Sequence, residues 1–347
     1  MDQHLKSILL CLMTVLFSDG DVSSQEFDLL DISGMLQADH CSIVSKFIEE
    51  EAISQFQLRY YYGVEPEDFI AVYLNESTRI LSHPRYNPSA CMVVYMTGWK
   101  QRLDTQDTAA SNKVFVENCD CNFIAVDWTA VSTNPLYHMS VSMTPKAGKA
   151  IASSLDALID AGASLCYLCG ISLGGQGAGH VARNMKNRVR HLITFDPAGP
   201  LFYPPVVCVP PVSEEDADCV EVIHTDRGGL GAPVRTGTFD YWVNGGPSPQ
   251  PGCLLPKSGR PRIGCSHIRS QVLFMQILRD PTLFPSRYCS SWLEFTLNGC
   301  SGNTVNYIGQ CNKESKPGNY YLRTSGSEPF GLRSRGASPS LLPNIFK

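Results

Sequence analysis

Residues 164–185 read SLCYLCGISLGGQGAGHVARNM. A short apolar run of strand character leads into Gly170-Ile171-Ser172-Leu173-Gly174, and a stretch that reads as helix follows despite its glycines. Glycines on both sides let strand and helix meet in a tight turn without a Cβ clash, so the Ser172 hydroxyl is left exposed. Strand, serine, helix is the grammar of a nucleophile elbow. It constrains the surrounding chain to an α/β layout, because such a turn sits at the carboxyl edge of a mostly parallel sheet.

The neighbouring sequence has that layout. ACMVVYM (90–96), NFIAVDW (122–128) and SLCYLCG (164–170) read as buried strands. Between the second and third lies KAGKAIASSLDALIDAG (146–162), with Ile151, Leu155, Leu158 and Ile159 on one helical face and Gly162 as a stop. A hydroxyl becomes a nucleophile only beside a base, and the base needs an orienting acid. In this layout the order along the chain is serine, acid, histidine. Asp196 follows the apolar run HLITF, on the sheet edge where Ser172 is expected. Two histidines come later, His224 in VEVIHTD and His267 in CSHIRSQVLFMQIL. His224 ends a strand-like run and reads as a hydrogen-bonded structural residue. His267 follows Cys265 and opens an amphipathic helix, so it is the preferred base.

The 347 residues are 43% apolar and 18% charged, enough for one large buried core. A formal charge of -5 without a basic block excludes nucleic acid as an expected partner. Lys6 precedes SILLCLMTVLF, too short to span a bilayer and suited to a signal-peptide core. The expected division is a signal peptide at 1–20, an N-terminal extension at 21–55, a single domain at 56–331 and a flexible tail at 332–347. The 14 cysteines, Cys11 among them, agree with export and disulfides. Cys166 and Cys169, in the apolar LCYLC, are expected to stay reduced, and Cys208 and Cys219 to pair across VPPVSEEDAD. Asn75-Glu76-Ser77 is a glycosylation sequon, with Asn75 as the acceptor.

These residues resemble the animal pancreatic-type lipase family, most of all its arthropod members. The resemblance runs from about Phe56 to Gly331 through MTGW, NFIAVDW, GISLGG, ITFDPAGPLF, DADCVEVIHTD, GTFDYWVNGGPSPQPGC and CSHIRS. It implies an α/β-hydrolase fold with a mostly parallel central sheet flanked by helices. It implies Ser172 as nucleophile, Asp196 as acid, His267 as base, and an oxyanion hole from the backbone N–H groups of Leu173 and Trp99. It also implies disulfides Cys253–Cys265, closing a lid, and Cys289–Cys300.

The chain departs from the family in several places. Thr97 and Ile171 stand where the family usually has histidines. Asp216 is kept where some members bind calcium, but Ser213 replaces a second acid, so no metal or cofactor is expected. The chain stops near residue 347, so the C-terminal β-sandwich of larger relatives is expected to be missing. The lid loop, LLPKSGRPRIG, is only 11 residues long, basic at Lys257, Arg260 and Arg262, and shorter than in the triacylglycerol lipases resembled. These features favour a secreted, extracellular phospholipase A1 over a neutral-lipid or general carboxyl-ester lipase. A catalytically silent lipid-binding or storage protein is the reading from another class. The expected partner is a lipid surface, touched peripherally by a monomer without a transmembrane segment.

Overall fold

The computed structural model describes residues 49–254, 264–312 and 314–339. The signal peptide, most of the N-terminal extension, the end of the tail and Lys257, Arg260 and Arg262 lie outside the described residues. The chain forms β1 (Gln57–Tyr61), β2 (Phe69–Tyr73), β3 (Met92–Met96), helix α1 (Gln106–Asn118) and β4 (Asn122–Asp127). Helix α2 (Tyr137–Asp160), β5 (Leu165–Ile171), helix α3 (Leu173–Asn184), β6 (Leu192–Phe195), β7 (Val220–His224) and β8 (Phe239–Val243) follow. Helix α4 (Cys265–Arg279), β9 (Pro285–Tyr288), β10 (Val305–Tyr307) and β11 (Gly318–Leu322) complete the layout.

The strands form one sheet in the order β10-β9-β11-β8-β7-β6-β5-β3-β4-β1-β2. From β4 to β11 every pairing is parallel, and antiparallel strands close both edges. This is the α/β-hydrolase fold. The chain leaves β3 first toward β4 and then, through α2, back to β5 on the other side. That reversal opens a crevice at the carboxyl ends of β3 and β5, where open α/β sheets bind ligands. Trp99 and Ser172 follow those two strand ends.

The apolar strands are covered on both faces. Val94 and Leu168 pack into one layer with Ile151, Leu155 and Leu158 of α2 and Val181 of α3. Tyr95, Cys169 and Ile193 pack into the other with Phe115 of α1 and Leu273, Phe274 and Ile277 of α4. Each fully buried aliphatic or aromatic side chain stabilises this sandwich by about 1.5–3 kcal/mol.

Helix α2 begins at Tyr137, well before the start expected at Lys146, and Pro145 lies inside it. Proline removes a backbone N–H and normally marks a first turn. Here Val141, Met143 and Ala147, on either side of the proline, are buried in the core, which offsets the missing bond. The Thr144 hydroxyl donates to Ser140 O at 2.9 Å within the same turns. Tertiary burial therefore overrides the local stop signal.

Two expectations about cysteines are corrected. Cys166 is not free but bonded to Cys91, with Cα atoms 5.6 Å apart. The parallel pairing of β3 and β5, with its register shift after Met92, places these residues side by side. Cys219 is bonded to Cys311, not to Cys208. It stands at the head of β7, and the 309–311 loop is drawn there because Gly309 and Cys311 N–H groups donate to buried Glu221. Cys208 is itself disulfide-bonded. Cys169 is free and buried, Cys253 is bonded to Cys265 and Cys289 to Cys300, and a Cys119–Cys121 bridge was not anticipated. Asn75 is exposed, while Ser77 of its sequon is buried and donates to Ser154 O at 3.0 Å.

Candidate active site

Ser172 occupies the turn between β5 and α3 with φ 56° and ψ -123°, a conformation a non-glycine residue adopts only when its surroundings impose it. The flanking glycines are required by contact. A Cβ on Gly170 would lie 2.2 Å from Gly174 O, and one on Gly174 would lie 2.4 Å from both Met96 O and Thr97 O. Ser172 N–H donates to Phe195 O at 3.0 Å, and Ala198 N–H donates back to Ser172 O at 3.0 Å. The serine turn is thus laced by main chain to the segment carrying Asp196.

Asp196 is fully buried just past the end of β6. Its Oδ1 accepts the Thr225 and Asp226 N–H groups at 2.9 and 3.1 Å. Its Oδ2 lies 2.6 Å from Nδ1 of His267, which is 6% exposed in the first turn of α4. Nδ1–H donating to the carboxylate leaves Nε2 with its lone pair, the state a general base needs. Ser172 Oγ is not hydrogen-bonded to His267 in this structure; catalytic contacts of this kind often tighten only with substrate bound.

Asp226 is the residue sequence reasoning missed. It is buried with Asp196 and His267, their ligand atoms within 4.8 Å of one another. Burial and the Asp196 charge push its carboxyl up to about 6, opposed by His267 and by the Leu230 N–H. The available signal was HTD, an acid two residues after a strand end on the sheet edge that carries Asp196. Burial alone would lower the His267 pKa, but the Asp196 hydrogen bond and charge and the Asp226 charge raise it above the ordinary 6.5. A base must be neutral to accept a proton, so activity that depends on His267 falls as pH drops through that raised value. Asp226→Asn removes one raising charge, and the acid limb of the kcat/KM profile should move to lower pH. An acid limb that stays in place or moves up would show that Asp226 does not act on His267.

The remaining site candidates have definite places. Leu173 N–H stands at the first position of α3, where a helix has no internal acceptor for it. Neither it nor the Trp99 N–H is donated to another described residue. The Trp99 indole donates to Asn134 O at 2.8 Å, and its ring stands edge-on to Tyr137 at 5.1 Å. Thr97 is 1% exposed and its hydroxyl has no partner; Ile171 is fully buried. His224 is fully buried, with Nε2 2.7 Å from Asp240 and the ring stacked on Trp242 at 3.7 Å. Asp216 is taken up by Arg183 at 2.8 and 2.9 Å and by Ser213 N–H. Another possible ligand group, His191, Cys219 and Cys311, contains a disulfide. No described helix is long and apolar enough to cross a membrane.

The chain is similar in sequence to several known proteins. Lipase member H-A of Xenopus laevis is 34% identical over 200 residues, 54% of this chain and 41% of that protein. Phospholipase A1 member A of Rattus norvegicus is 29% identical over 234 residues, 63% of this chain and 51% of its own length. The chain therefore aligns with about half or less of these curated relatives. A hyperthermophilic esterase from Pyrobaculum calidifontis is 19% identical, covering 57% of this chain and 61% of its own, at a TM-score of 0.28. The Lipase family profile matches residues 50–330, a span holding both sides of the β3–β5 crevice and the Asp196–His267 pair, and the chain belongs to that family.

Proposed function

We propose that this protein is a secreted serine esterase that cleaves lipid acyl esters through an acyl-enzyme, with phospholipase A1 specificity. The observation that carries the esterase reading is the 2.6 Å Asp196–His267 hydrogen bond on the sheet edge where the Ser172 turn is held. Ser172 Oγ attacks the ester carbonyl carbon while its proton passes to His267 Nε2. The carbonyl oxygen becomes an oxyanion held by the Leu173 and Trp99 N–H groups. Preorganised backbone donors of this kind are worth roughly 2.7–4 kcal/mol each in the transition state. The tetrahedral adduct collapses, the acyl–oxygen bond to the alcohol breaks, and the leaving alkoxide takes the proton from Nε2. Water then attacks the acyl-serine by the same route, giving free fatty acid and restoring Ser172.

Secretion is supported by the signal-like N-terminus and by several disulfides among the described residues. The substrate reading rests on the lid. Cys253–Cys265 confines it to the 11 residues between, with three basic residues and two prolines. A loop so small and polar offers little apolar surface to an oil droplet and little room for a third acyl chain. A diacyl phospholipid fits better, with its head group in water and its sn-1 chain beside Trp99. A relative named phospholipase A1 member A is in keeping with this reading. Purified protein should hydrolyse phosphatidylcholine vesicles faster than emulsified triolein. Phospholipid with different chains at sn-1 and sn-2 should yield the sn-1 fatty acid and a 2-acyl lysophospholipid. Rapid triolein hydrolysis without phospholipid turnover would assign the neutral-lipid activity instead.

A further inference from the structure

We infer that Gln101 is a positioning residue for the oxyanion hole, an inference that rests on the esterase reading above. The loop after β3 runs Thr97-Gly98-Trp99-Lys100-Gln101. Gly98 N–H donates to the Gln101 side-chain Oε1 at 2.8 Å, and Gln101 N–H donates to Gly98 O at 3.2 Å. One residue therefore grips glycine on both sides. Gly98 O and Trp99 N–H belong to the same peptide plane and point in opposite directions across it. Holding the oxygen fixes where the Trp99 N–H points.

The side-chain bond does the part that the main chain cannot. Gly98 has no Cβ, so its φ and ψ are the least restrained in the loop, and the one main-chain bond to its oxygen leaves the peptide plane before it free to turn. Glycine is nonetheless required, since a Cβ there would meet Ser172 Cβ at 3.0 Å and Ile171 O at 3.2 Å. The close approach that brings the loop to the nucleophile also loosens it. Gln101 N–H holds the Gly98–Trp99 plane by its oxygen, and Oε1 holds the preceding Thr97–Gly98 plane by its N–H. Only the two bonds together fix the φ and ψ of the glycine. Lys100 N–H donates to Ser132 O at 2.8 Å, so the loop is pinned on its far side as well. Of the N–H groups from Gly98 to Gln101, only that of Trp99 has no described acceptor. It is the one left for an oxyanion.

The experiment uses the full chain and a soluble short-chain p-nitrophenyl ester, which avoids any lipid surface. Gln101→Leu keeps the bulk and loses the acceptor, whereas Gln101→Glu keeps an acceptor oxygen at the same reach. Full removal of an oxyanion donor costs about 10²–10³ in kcat, so misaiming one in Gln101→Leu should cost about 10- to 100-fold. KM and Tm should stay close to those of wild type, and the rate of phosphonylation by a fluorophosphonate, whose P=O oxygen occupies the same hole, should fall in parallel. Gln101→Glu should lose less than Gln101→Leu on both rates. Equal losses in the two variants, unchanged kcat, or a loss confined to KM or Tm overturns the inference and leaves the esterase reading standing. If wild type neither turns over ester nor labels with fluorophosphonate, the esterase reading fails and this inference with it.

Discussion

Alanine at Ser172 should lower ester turnover by roughly three to six orders of magnitude, and alanine at His267 by a similar factor. The two losses should not add. In the proposed mechanism, removing the nucleophile leaves the base nothing to activate, and removing the base leaves a hydroxyl near its solution reactivity, so the double variant should be little worse than either single one. His224→Ala should keep most of the turnover. Its ring is bonded to Asp240 and stacked on Trp242 inside the fold, so its loss is felt in stability. The measurement is kcat on a soluble ester with thermal unfolding recorded for each variant. Inactive His224→Ala beside active His267→Ala would transfer the role of base to His224.

Gly174→Ala should damage stability and activity together. The added methyl would lie 2.4 Å from the carbonyl oxygens of Met96 and Thr97, which are main chain and cannot rotate away. Overpacking typically costs roughly 1–3 kcal/mol, and a clash with backbone on a central strand belongs at the top of that range. Relief would push β3 and α3 apart, and these carry Trp99 and Ser172. Gly302→Ala is the control, because a Cβ there meets nothing within 4 Å. Urea midpoints and ester turnover would be compared for the two variants. A Gly174→Ala protein as stable and active as Gly302→Ala would show that the elbow has slack that the contacts exclude.

Much of this layout was legible because its signals are local. The strands around Met92–Met96, Asn122–Asp127 and Leu165–Ile171 announce themselves by continuous apolar runs, and α3 follows a serine turn that only glycines permit. The pairing of Asp196 with His267 was legible from order: one acid directly after a strand, and a histidine behind a cysteine at a helix start. What escaped depends on which strands become neighbours. Cys91 and Cys166 meet because β5 lies beside β3, and Cys311 reaches Cys219 because Glu221 gathers the amides of a distant loop. Asp226 lay in a quoted motif, yet its role is set by burial beside a second carboxylate, which no local pattern reports. Gln101 had no pattern at all, since its importance comes from contact between the β3 loop and Ser172.

The disulfide before α4 gives the chain two covalent routes from residue 253 to residue 265. One is the main chain through residues 254–264, and the other is the short path across two sulfurs. Flanking bonds reinforce the short path: Ser266 Oγ accepts from Gln250 N–H at 2.9 Å, and the Arg269 guanidinium donates to Pro251 O at 2.9 Å. A protease that cut between Cys253 and Cys265 would therefore release nothing. The two fragments would remain one molecule, and His267, two residues beyond Cys265, would keep its tether to the rest of the domain. The loop can therefore be cut while His267 keeps its register on Asp196.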